Sequence, residues 1–278
     1  VRFAAPDDLV AAFDASVGLA LGDDAPAHDP DAVAAAVDAV LHHSVQTNHP
    51  RFINQNYAGA DPVAVIGDWL GAALNTANST YEIAPVFHLV ENAVLAKLAH
   101  LAGFGGPGPD APPDPLPPGL FCPGGSVALL YALQLARHRH QPDLKTAGAS
   151  AEPLDVFVSS SGHYGAGKAA ALLGLGTDAV VEVDVDADGA MRPDSLRDAL
   201  AGSTAAGRTP LAVIATSGTT ITCAFDPLDA IADLCGEHGA WLHVDGCYGA
   251  SALFSPDHRH RLAGVERADS MVWNLHKM

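Results

Sequence analysis

Two short apolar segments in this sequence each end in side chains that can do acid–base or nucleophilic chemistry. The first, Trp241–Asp245, ends in an acid that small residues follow. That pattern is typical of a buried strand that delivers one carboxylate to the end of a sheet. The second, residues 271–273, is followed by Asn274, His276 and Lys277. The sequence therefore predicts an acid and an amine at neighbouring strand ends.

An acid and a lysine in such positions suit pyridoxal phosphate. The amine of Lys277 would form a Schiff base with the cofactor, and Asp245 would keep the pyridine nitrogen protonated so that the ring accepts electrons. The alternative is an ordinary α/β domain whose strand ends carry an acid and a lysine by chance, because short motifs have many false positives. These two segments alone do not decide between the two interpretations.

A turn earlier in the chain is suited to an anion. Gly124, Gly125 and Ser126 precede residues 127–139, whose apolar spacing predicts a helix. The start of a helix exposes unpaired backbone N–H groups and the positive end of the helix dipole, which together bind phosphate. Most such turns only cap a helix, so this motif is weak by itself.

The elements that must position these residues alternate along the chain. Apolar runs predict strands at residues 154–158, 179–185, 211–215, 241–245 and 271–273, with helices at residues 163–175, 193–200 and 226–238. Strands separated by helices indicate an α/β fold with a mostly parallel sheet flanked by helices. Ligands of such sheets bind beyond the carboxyl ends of the strands. The candidate residues that follow predicted strands are His163, Thr219, Thr220, Asp245 and Lys277.

His163 has two interpretations. Its flat ring can stack on an aromatic cofactor, or it can be a loop histidine whose nitrogens are satisfied by the backbone. The first fifty residues predict two helices, which are too small to fold alone and are expected to pack on the main body or on a partner subunit. We therefore predict a helical segment at residues 1–48 and one large domain at residues 49–278.

Composition excludes several function classes. The chain has 14 Lys and Arg against 32 Asp and Glu, so its formal charge of -18 repels nucleic acids and anionic membranes. No apolar run reaches the length of a membrane span. Four cysteines without CxxC spacing favour a reducing, cytoplasmic compartment. The histidines beside arginines lack partners at ligand spacing, so we expect no metal site.

Ten ordered motifs carry a family likeness, and together they are highly specific. They are HPRFINQ (49–55), NT (75–76), TYEIAPVF (80–87), FCPGG (121–125), SGHY (161–164), ATSGTT (215–220), AFDP (224–227), WLHVD (241–245), HRHRL (258–262) and NLHK (274–277). With these motifs the chain resembles the group II pyridoxal-phosphate-dependent amino-acid decarboxylases, most closely the glutamate, cysteine-sulfinate and aspartate decarboxylase branch.

The resemblance implies the large domain of pyridoxal-phosphate-dependent fold type I, which is aspartate-aminotransferase-like. It also implies roles for individual residues. Lys277 would hold the cofactor, Asp245 would pair with its pyridinium nitrogen, and His163 and Cys247 would lie against the two ring faces. Thr220 would support the ring substituents. The residues that would bind or border the phosphate are Gly125, Ser126, Asn274 and His276.

The activity implied by the resemblance is loss of CO2 from a small acidic L-amino acid, namely glutamate, aspartate or cysteine sulfinate. Asn54 and Gln55 would help to recognise the side-chain carboxylate of the substrate, and the N-terminal helices resemble the segment that interlocks family dimers with shared active sites. Two alternatives stay open: another fold type I lyase or aminotransferase, and a non-catalytic protein that binds the cofactor or serves in dimerisation.

The sequence departs from the family pattern at three places. Leu275 stands where a proline is common, and Cys247 stands where the family usually has alanine, so its thiol could make the site sensitive to oxidation if it is accessible. The sequence also ends one residue after Lys277, whereas family members continue with a mobile loop and a smaller domain. We expect a fragment that decarboxylates poorly alone; a second polypeptide or a degenerate protein are the other possibilities.

Overall fold

The computed structural model describes residues 4–16, 18, 30–54, 56–105 and 119–278. The chain divides into two compact units, one formed by Val1–Asn54 with Gly59–Val65 and the other by Gln55–Ala58 with Ile66–Met278. Gln55, a predicted substrate residue, lies outside the described residues. The domain boundary after residue 48 stays a prediction.

The first unit contains the two helices that the sequence predicts near its start. They are α1 (Pro6–Ser16) and α2 (Pro30–His43). Each begins at a proline, a residue whose fixed φ and missing N–H suit the first turn of a helix. The ring centroids of Phe13 and His43 lie 5.7 Å apart, which places the two helices side by side. The prediction of two helices in this segment is confirmed.

The second unit is built on a five-stranded sheet in which every pairing is parallel. The spatial order of the strands is β2-β1-β3-β4-β5. This arrangement confirms the predicted α/β class. The strand bounds are β1 (Leu154–Ser159), β2 (Val180–Val183), β3 (Thr209–Thr216), β4 (Trp241–Asp245) and β5 (Ser270–Val272).

Helices cover both faces of this sheet. On one face α5 and α7 pack against Val156 and Ile214, and on the other α8 and α9 pack against Phe157 and Val213. Alternate residues of β1 and β3 thus point to opposite faces, as strand geometry requires. The helices are α3 (Pro62–Leu74), α4 (Pro85–Ala102), α5 (Gly125–His140), α6 (Leu144–Ala147), α7 (Gly165–Leu172), α8 (Pro193–Ala205) and α9 (Leu228–His238).

Helix α7 is shorter than the predicted helix 163–175, and the difference has a local cause. The backbone N–H of Gly165 donates to Nδ1 of His163 at 3.1 Å, so His163 and Tyr164 form the turn that precedes the helix. The helix therefore begins at Gly165 and leaves the histidine ring in the loop. None of the helices in the described ranges is long and apolar enough to span a membrane.

The strand order opens a crevice at the carboxyl edge of the sheet. From β1 the chain crosses to β2 at the edge, then returns to the other side of β1 to form β3. Loops that leave β1 and β3 therefore run in opposite directions, and such a reversal is where open α/β sheets bind their ligands. The loops after β1, β3, β4 and β5 are those that carry the candidate residues.

Candidate active site

A cavity lies at this edge of the sheet, and its walls come entirely from the second unit. The loops after β1, β3, β4 and β5 contribute to it, together with the first turn of α5. Most of the candidate residues are thus brought together in one place. The lining residues are Gly125, Ser126, Leu129, His163, Thr216, Gly218, Thr219, Thr220, Asp245, Cys247, Tyr248, Asn274 and Lys277.

Asp245 is fixed by its place at the end of β4. It stands between Thr216 of β3 and Val272 of β5 in the sheet register. Its backbone carbonyl accepts the N–H of Ser217 at 2.8 Å, and its Oδ1 accepts the N–H of Cys247 at 3.1 Å. The side chain is half-buried. One carboxylate oxygen is therefore held by the backbone, and the residue lines the cavity.

The charges of Lys277 and Asp245 both shift the pKa of the Cys247 thiol. Burial raises the pKa of Cys247 well above its ordinary value, and the nearby Asp245 charge and hydrogen bond raise it further. The positive charge of Lys277 acts on this thiol in the opposite direction. The amine and the carboxylate thus both lie close to Cys247. The backbone N–H of Lys277 donates to the carbonyl of Asn274 at 3.3 Å, which closes the turn after β5.

The first turn of α5 approaches this group closely because it begins with glycines. Gly124 has φ = 116°, a conformation that side chains rarely adopt. A Cβ at Gly125 would lie 2.5 Å from Sγ of Cys247 and 3.6 Å from the amide atoms of Asn274. Since Gly125 and Ser126 open the helix, their N–H groups have no helical carbonyl to pair with. The turn can therefore bind an anion.

The loop after β3 is held by its own hydrogen bonds. Oγ1 of the buried Thr219 accepts the N–H of Ala224 at 2.9 Å and lies 2.7 Å from Oγ1 of Thr222. Gly218 has φ = 90°, and a Cβ there would lie 2.7 Å from the backbone nitrogen of Gly249. Thr219 is thus used to fix the loop. The neighbouring Thr220 has an exposed side chain at the cavity.

His163 is a loop histidine whose ring nitrogen is paired with the backbone, as one of the two interpretations predicts. Its Nδ1 accepts the N–H of Gly165, so the proton of its neutral ring is on Nε2. The ring also lines the cavity and is exposed there. Its other neighbour is Tyr164, with ring centroids 4.1 Å apart and an interplanar angle of 32°. The backbone bond orients the ring, and its stacking on a cofactor stays a prediction.

Two predicted residues are not placed around the cavity. His276 is exposed, and its backbone carbonyl accepts the N–H of Ala58 at 3.4 Å. Asn54 belongs to the first unit. The roles predicted for both stay predictions, as does the role of Gln55.

The cavity also includes residues to which the sequence analysis gave no role. Leu129 follows Gly125 by one helical turn, so the spacing of α5 was a signal for it. Tyr248 follows Asp245 by three residues, in a segment where no periodic pattern indicated its direction. The other lining residues in this group are Thr216 and Gly218.

The chain is similar in sequence to known decarboxylases. Cysteine sulfinic acid decarboxylase of Rattus norvegicus is 50% identical over 241 residues, covering 86% of this chain and 47% of the relative. Acidic amino acid decarboxylase GADL1 of Homo sapiens is 48% identical over 240 residues, covering 86% of this chain and 44% of the relative. The chain thus spans about half the length of the curated relatives it matches.

Solved structures show the same fold. The crystal structure of mouse CSAD in apo form superposes with a TM-score of 0.90 and 44% identity, covering 99% of this chain and 55% of that one. The structure of Oryza sativa TDC with PLP gives a TM-score of 0.81 and 28% identity, covering 92% of this chain and 56% of that one. The predicted fold type I is therefore confirmed.

The family model described as "Pyridoxal-dependent decarboxylase conserved domain" matches residues 20–278. This chain therefore belongs to the pyridoxal-dependent decarboxylase family, whose cofactor is pyridoxal 5′-phosphate.

Proposed function

We propose that the cavity is the active site of a pyridoxal-phosphate-dependent decarboxylase that removes CO2 from a small acidic L-amino acid. The observation that carries the proposal is the meeting of Lys277 and Asp245 beside the first turn of α5. The amine can react with the aldehyde of the cofactor, and the carboxylate can pair with its ring nitrogen. The start of the helix can bind its phosphate. Family membership supports the same chemistry.

The residues present fit this cofactor. The approach of α5 to Cys247 leaves no room for a side chain at Gly125, so the backbone itself faces the site. When bound, pyridoxal phosphate supplies an electron-accepting ring that weakens the bonds at the substrate Cα. The residues that we propose to hold it are Lys277, Asp245, His163, Thr220, Cys247, Gly125, Ser126, Asn274 and His276.

Each protein group has a distinct task. The amine of Lys277 would hold the cofactor through its aldehyde. The carboxylate of Asp245 would keep a proton on the ring nitrogen, and the ring of His163 would lie against one face. Leu129 contributes an apolar wall. A water-poor wall and a fixed orientation favour breaking the bond to the carboxylate rather than another bond at Cα.

The choice of an acidic substrate rests on the relatives. One is a cysteine sulfinic acid decarboxylase and another an acidic amino acid decarboxylase by name. Asn54 and Gln55 are the side chains that we propose to contact the substrate's acidic group.

The cofactor site is tested by adding pyridoxal phosphate to the purified 278-residue chain and recording its absorbance before and after borohydride. We expect a visible band, then a reduced adduct that peptide mapping places on Lys277. The Lys277→Arg variant keeps the charge without the reactive primary amine and should give no adduct. An adduct at another lysine, such as Lys168, would contradict the assignment.

The reaction is tested by supplying glutamate, aspartate and cysteine sulfinate to the cofactor-loaded protein. We expect slow formation of CO2 and the corresponding amine, in equal amounts. Formation of a 2-keto acid with the carboxylate retained would identify an aminotransferase instead. Binding of cofactor without turnover of any of the three would reject the proposed activity for this chain and leave a cofactor-binding role.

We also propose that the protein is a homodimer with shared active sites. The second unit exposes large apolar side chains on the later part of α3 and the start of α4, a surface of the kind that oligomer interfaces bury. Trp69, for example, is 69% exposed. The others are Ile66, Leu70, Leu74, Val86, Leu89 and Val90.

Sedimentation tests the dimer. We expect the wild type to sediment as a dimer and Trp69→Glu/Leu70→Glu to sediment as a monomer. Leu172→Glu on α7 is the matched control, since Leu172 is also exposed but lies on another helix, and it should remain dimeric. A wild type that is monomeric at high concentration would reject the proposal.

A cytoplasmic location is the last part of the proposal. All four cysteines are free thiols, which suits a reducing compartment. Cell fractionation of a tagged protein should recover it in the cytosolic fraction, and recovery with secreted material would contradict this.

A further inference from the structure

Thr216, the last residue of β3, lines the cavity beside Asp245. The two residues are register neighbours on adjacent strands. Ile214 of β3 and Trp241 of β4 both pack on the face of the sheet that α5 and α7 cover. Because alternate residues of a strand share a face, Thr216 and Asp245 point to that same face, separated by the strand spacing of about 4.8 Å. A hydroxyl and a carboxylate are therefore placed side by side at the cavity.

The backbone of Thr216 is held on both sides by one residue. Its N–H donates to Oδ2 of Asp226 at 2.6 Å, and its carbonyl accepts the N–H of Asp226 at 2.9 Å. The branched Cβ of a threonine restricts the torsion that directs the hydroxyl. The hydroxyl of Thr216 is thus held in a defined place before any ligand binds.

This hydroxyl has no hydrogen-bond partner among the described residues, since the hydrogen bonds of Thr216 use its backbone atoms. Only 5% of the residue is exposed, and a hydroxyl without a partner in so enclosed a place costs free energy. A Cβ at Gly162, in the loop after β1, would lie 3.6 Å from Oγ1 of Thr216. Glycine leaves that position empty, so no side chain of residue 162 covers the hydroxyl.

We propose that Thr216 is a further cofactor-binding residue, whose hydroxyl donates a hydrogen bond to the phenolic oxygen of pyridoxal phosphate. In the proposed function, on which this inference rests, Lys277 takes the aldehyde, Asp245 the ring nitrogen and the first turn of α5 the phosphate. The phenolic oxygen is the polar group that remains. It is attached to the ring carbon next but one to the nitrogen, so a donor one strand away from Asp245 suits it. A donor to an anionic oxygen makes a strong, charge-assisted hydrogen bond.

The test compares two ligands that differ only at that oxygen. One is pyridoxal phosphate, and the other is its 3-deoxy analogue, in which hydrogen replaces the phenolic group. Thr216→Val removes the hydroxyl and keeps the branched shape, whereas Thr216→Ser keeps the hydroxyl. Thr209→Val, at the other end of β3, is the matched control, because Oγ1 of Thr209 donates to Glu152 at 2.6 Å and does not line the cavity.

We expect Thr216→Val to weaken the affinity for pyridoxal phosphate about tenfold, because a hydrogen bond to a charged oxygen is lost. Its affinity for the 3-deoxy analogue should change less than about twofold, and Thr216→Ser should bind both ligands within about threefold of the wild type. Thr209→Val should bind both like the wild type. An equal loss for both ligands in Thr216→Val would overturn the inference. A selective loss in Thr220→Val and none in Thr216→Val would give the oxygen to Thr220 and would overturn it as well.

Urea unfolding without the cofactor is a second measurement. Because the hydroxyl of Thr216 has no protein partner, Thr216→Val should have a urea midpoint equal to or above that of the wild type. Thr209→Val should have a lower midpoint, since its bond to Glu152 is lost. A midpoint that falls as far in Thr216→Val as in Thr209→Val would mean that the protein itself uses the hydroxyl, which would overturn the inference and leave the proposed function intact. A wild type that binds neither ligand would instead reject the proposed function.

Discussion

Two carboxylates flank the carboxyl end of β3, and they differ in how their oxygens are hydrogen-bonded by the protein. Asp226 is 2% exposed, and its two oxygens accept the backbone N–H groups of Met191 at 2.7 Å and Thr216 at 2.6 Å. Asp245 is half-buried, and its side chain accepts hydrogen bonds from the backbone N–H and from the thiol of Cys247. The first carboxylate is enclosed and saturated by the backbone, while the second is open.

The difference separates an acid that holds the fold together from one that we propose to bind a ligand. Asp226 joins the segment before α8 to the end of β3, and its own N–H donates to the carbonyl of Thr216 at 2.9 Å. It therefore fixes the loop that carries Thr219 and Thr220. Asp245 has an oxygen available for a ligand. A saturated carboxylate stabilises the loops around a site, and an unsaturated one can bind what enters it.

The largest effect that this comparison predicts is on the activity of Asp245→Asn. Because the substitution removes the charge that we propose to face the ring nitrogen, we expect activity to fall roughly a hundred- to thousandfold. The free energy of unfolding should change by less than about 0.5 kcal/mol, since the side chain is half-buried and carries one backbone hydrogen bond. Activity assays of the cofactor-loaded protein and urea unfolding measure the two quantities. A variant that unfolds easily but still turns over substrate would reverse the assignment of the two acids.

The second prediction concerns pH. Burial raises the pKa of Asp226 from 3.8 to about 6, although the N–H groups of Met191 and Thr216 oppose this shift. Between pH 3.8 and about 6, the folded state therefore keeps a proton on Asp226 that the unfolded state has released. The contribution of this proton to the free energy of unfolding is fully present below pH 3.8. It is lost as pH rises through about 6, by at most about 3 kcal/mol.

Urea unfolding of the wild type and Asp226→Asn across pH 4 to 7 measures this contribution. The advantage of the wild type over the variant should shrink as pH rises. A constant difference over that range would mean that Asp226 titrates alike in the folded and unfolded states.

The third prediction is the cost of Asp226→Asn itself at pH 7. An amide offers one oxygen where the carboxylate offers two, so one of the two backbone N–H groups loses its acceptor. We expect the free energy of unfolding to fall by about 2 kcal/mol. Asp194→Asn on the exposed start of α8 is the matched control, because Asp194 is solvent-exposed and its loss should cost less than about 1 kcal/mol. Equal costs for the two variants would show that burial of Asp226 does not matter.

The smallest expected effect is that of Cys247→Ala. Alanine retains the backbone N–H of residue 247 that donates to Asp245, and it loses the hydrogen bond of the thiol. We expect the affinity for pyridoxal phosphate to stay within about twofold of the wild type, since the backbone hydrogen bond is unchanged. Equilibrium dialysis measures it. A tenfold loss would mean that the thiol itself contributes to the open carboxylate site.

The same thiol bears on the oxidation that the sequence suggested. Burial raises the pKa of Cys247, and only the thiolate reacts readily. Cys223 is exposed. With mild peroxide we expect mass spectrometry to find Cys223 oxidised first. Oxidation of Cys247 ahead of it would show that the cavity activates the thiol.

Local patterns were sufficient to predict the scaffold. Short apolar runs bounded by turn residues predicted every strand of the described sheet, because a strand buried on both faces is apolar along its length. Their ends differed by one or two residues; β3 begins at Thr209 rather than at residue 211. The exact end of a strand depends on its hydrogen bonds with neighbouring strands, and the local sequence does not show that pairing.

Local sequence patterns predicted some residues of the candidate site and not others. Asp245 and Lys277 were predictable because each follows an apolar run, and Gly125 because it opens a helix. Tyr248 was not, since its direction depends on how the turn after β4 packs against Gly218. Asp226 was noticed only within a motif, and its enclosure depends on Met191, which is distant in the sequence.

The cavity draws its walls from segments that are far apart in the sequence, from Gly125 to Lys277. A ligand that contacts the start of α5 and the loops after β3, β4 and β5 can bind only when all of them are assembled. Its binding free energy is then added to the free energy of unfolding, in proportion to the logarithm of its concentration. Cofactor supply would thus set the lifetime of this protein against heat and proteases as well as its activity.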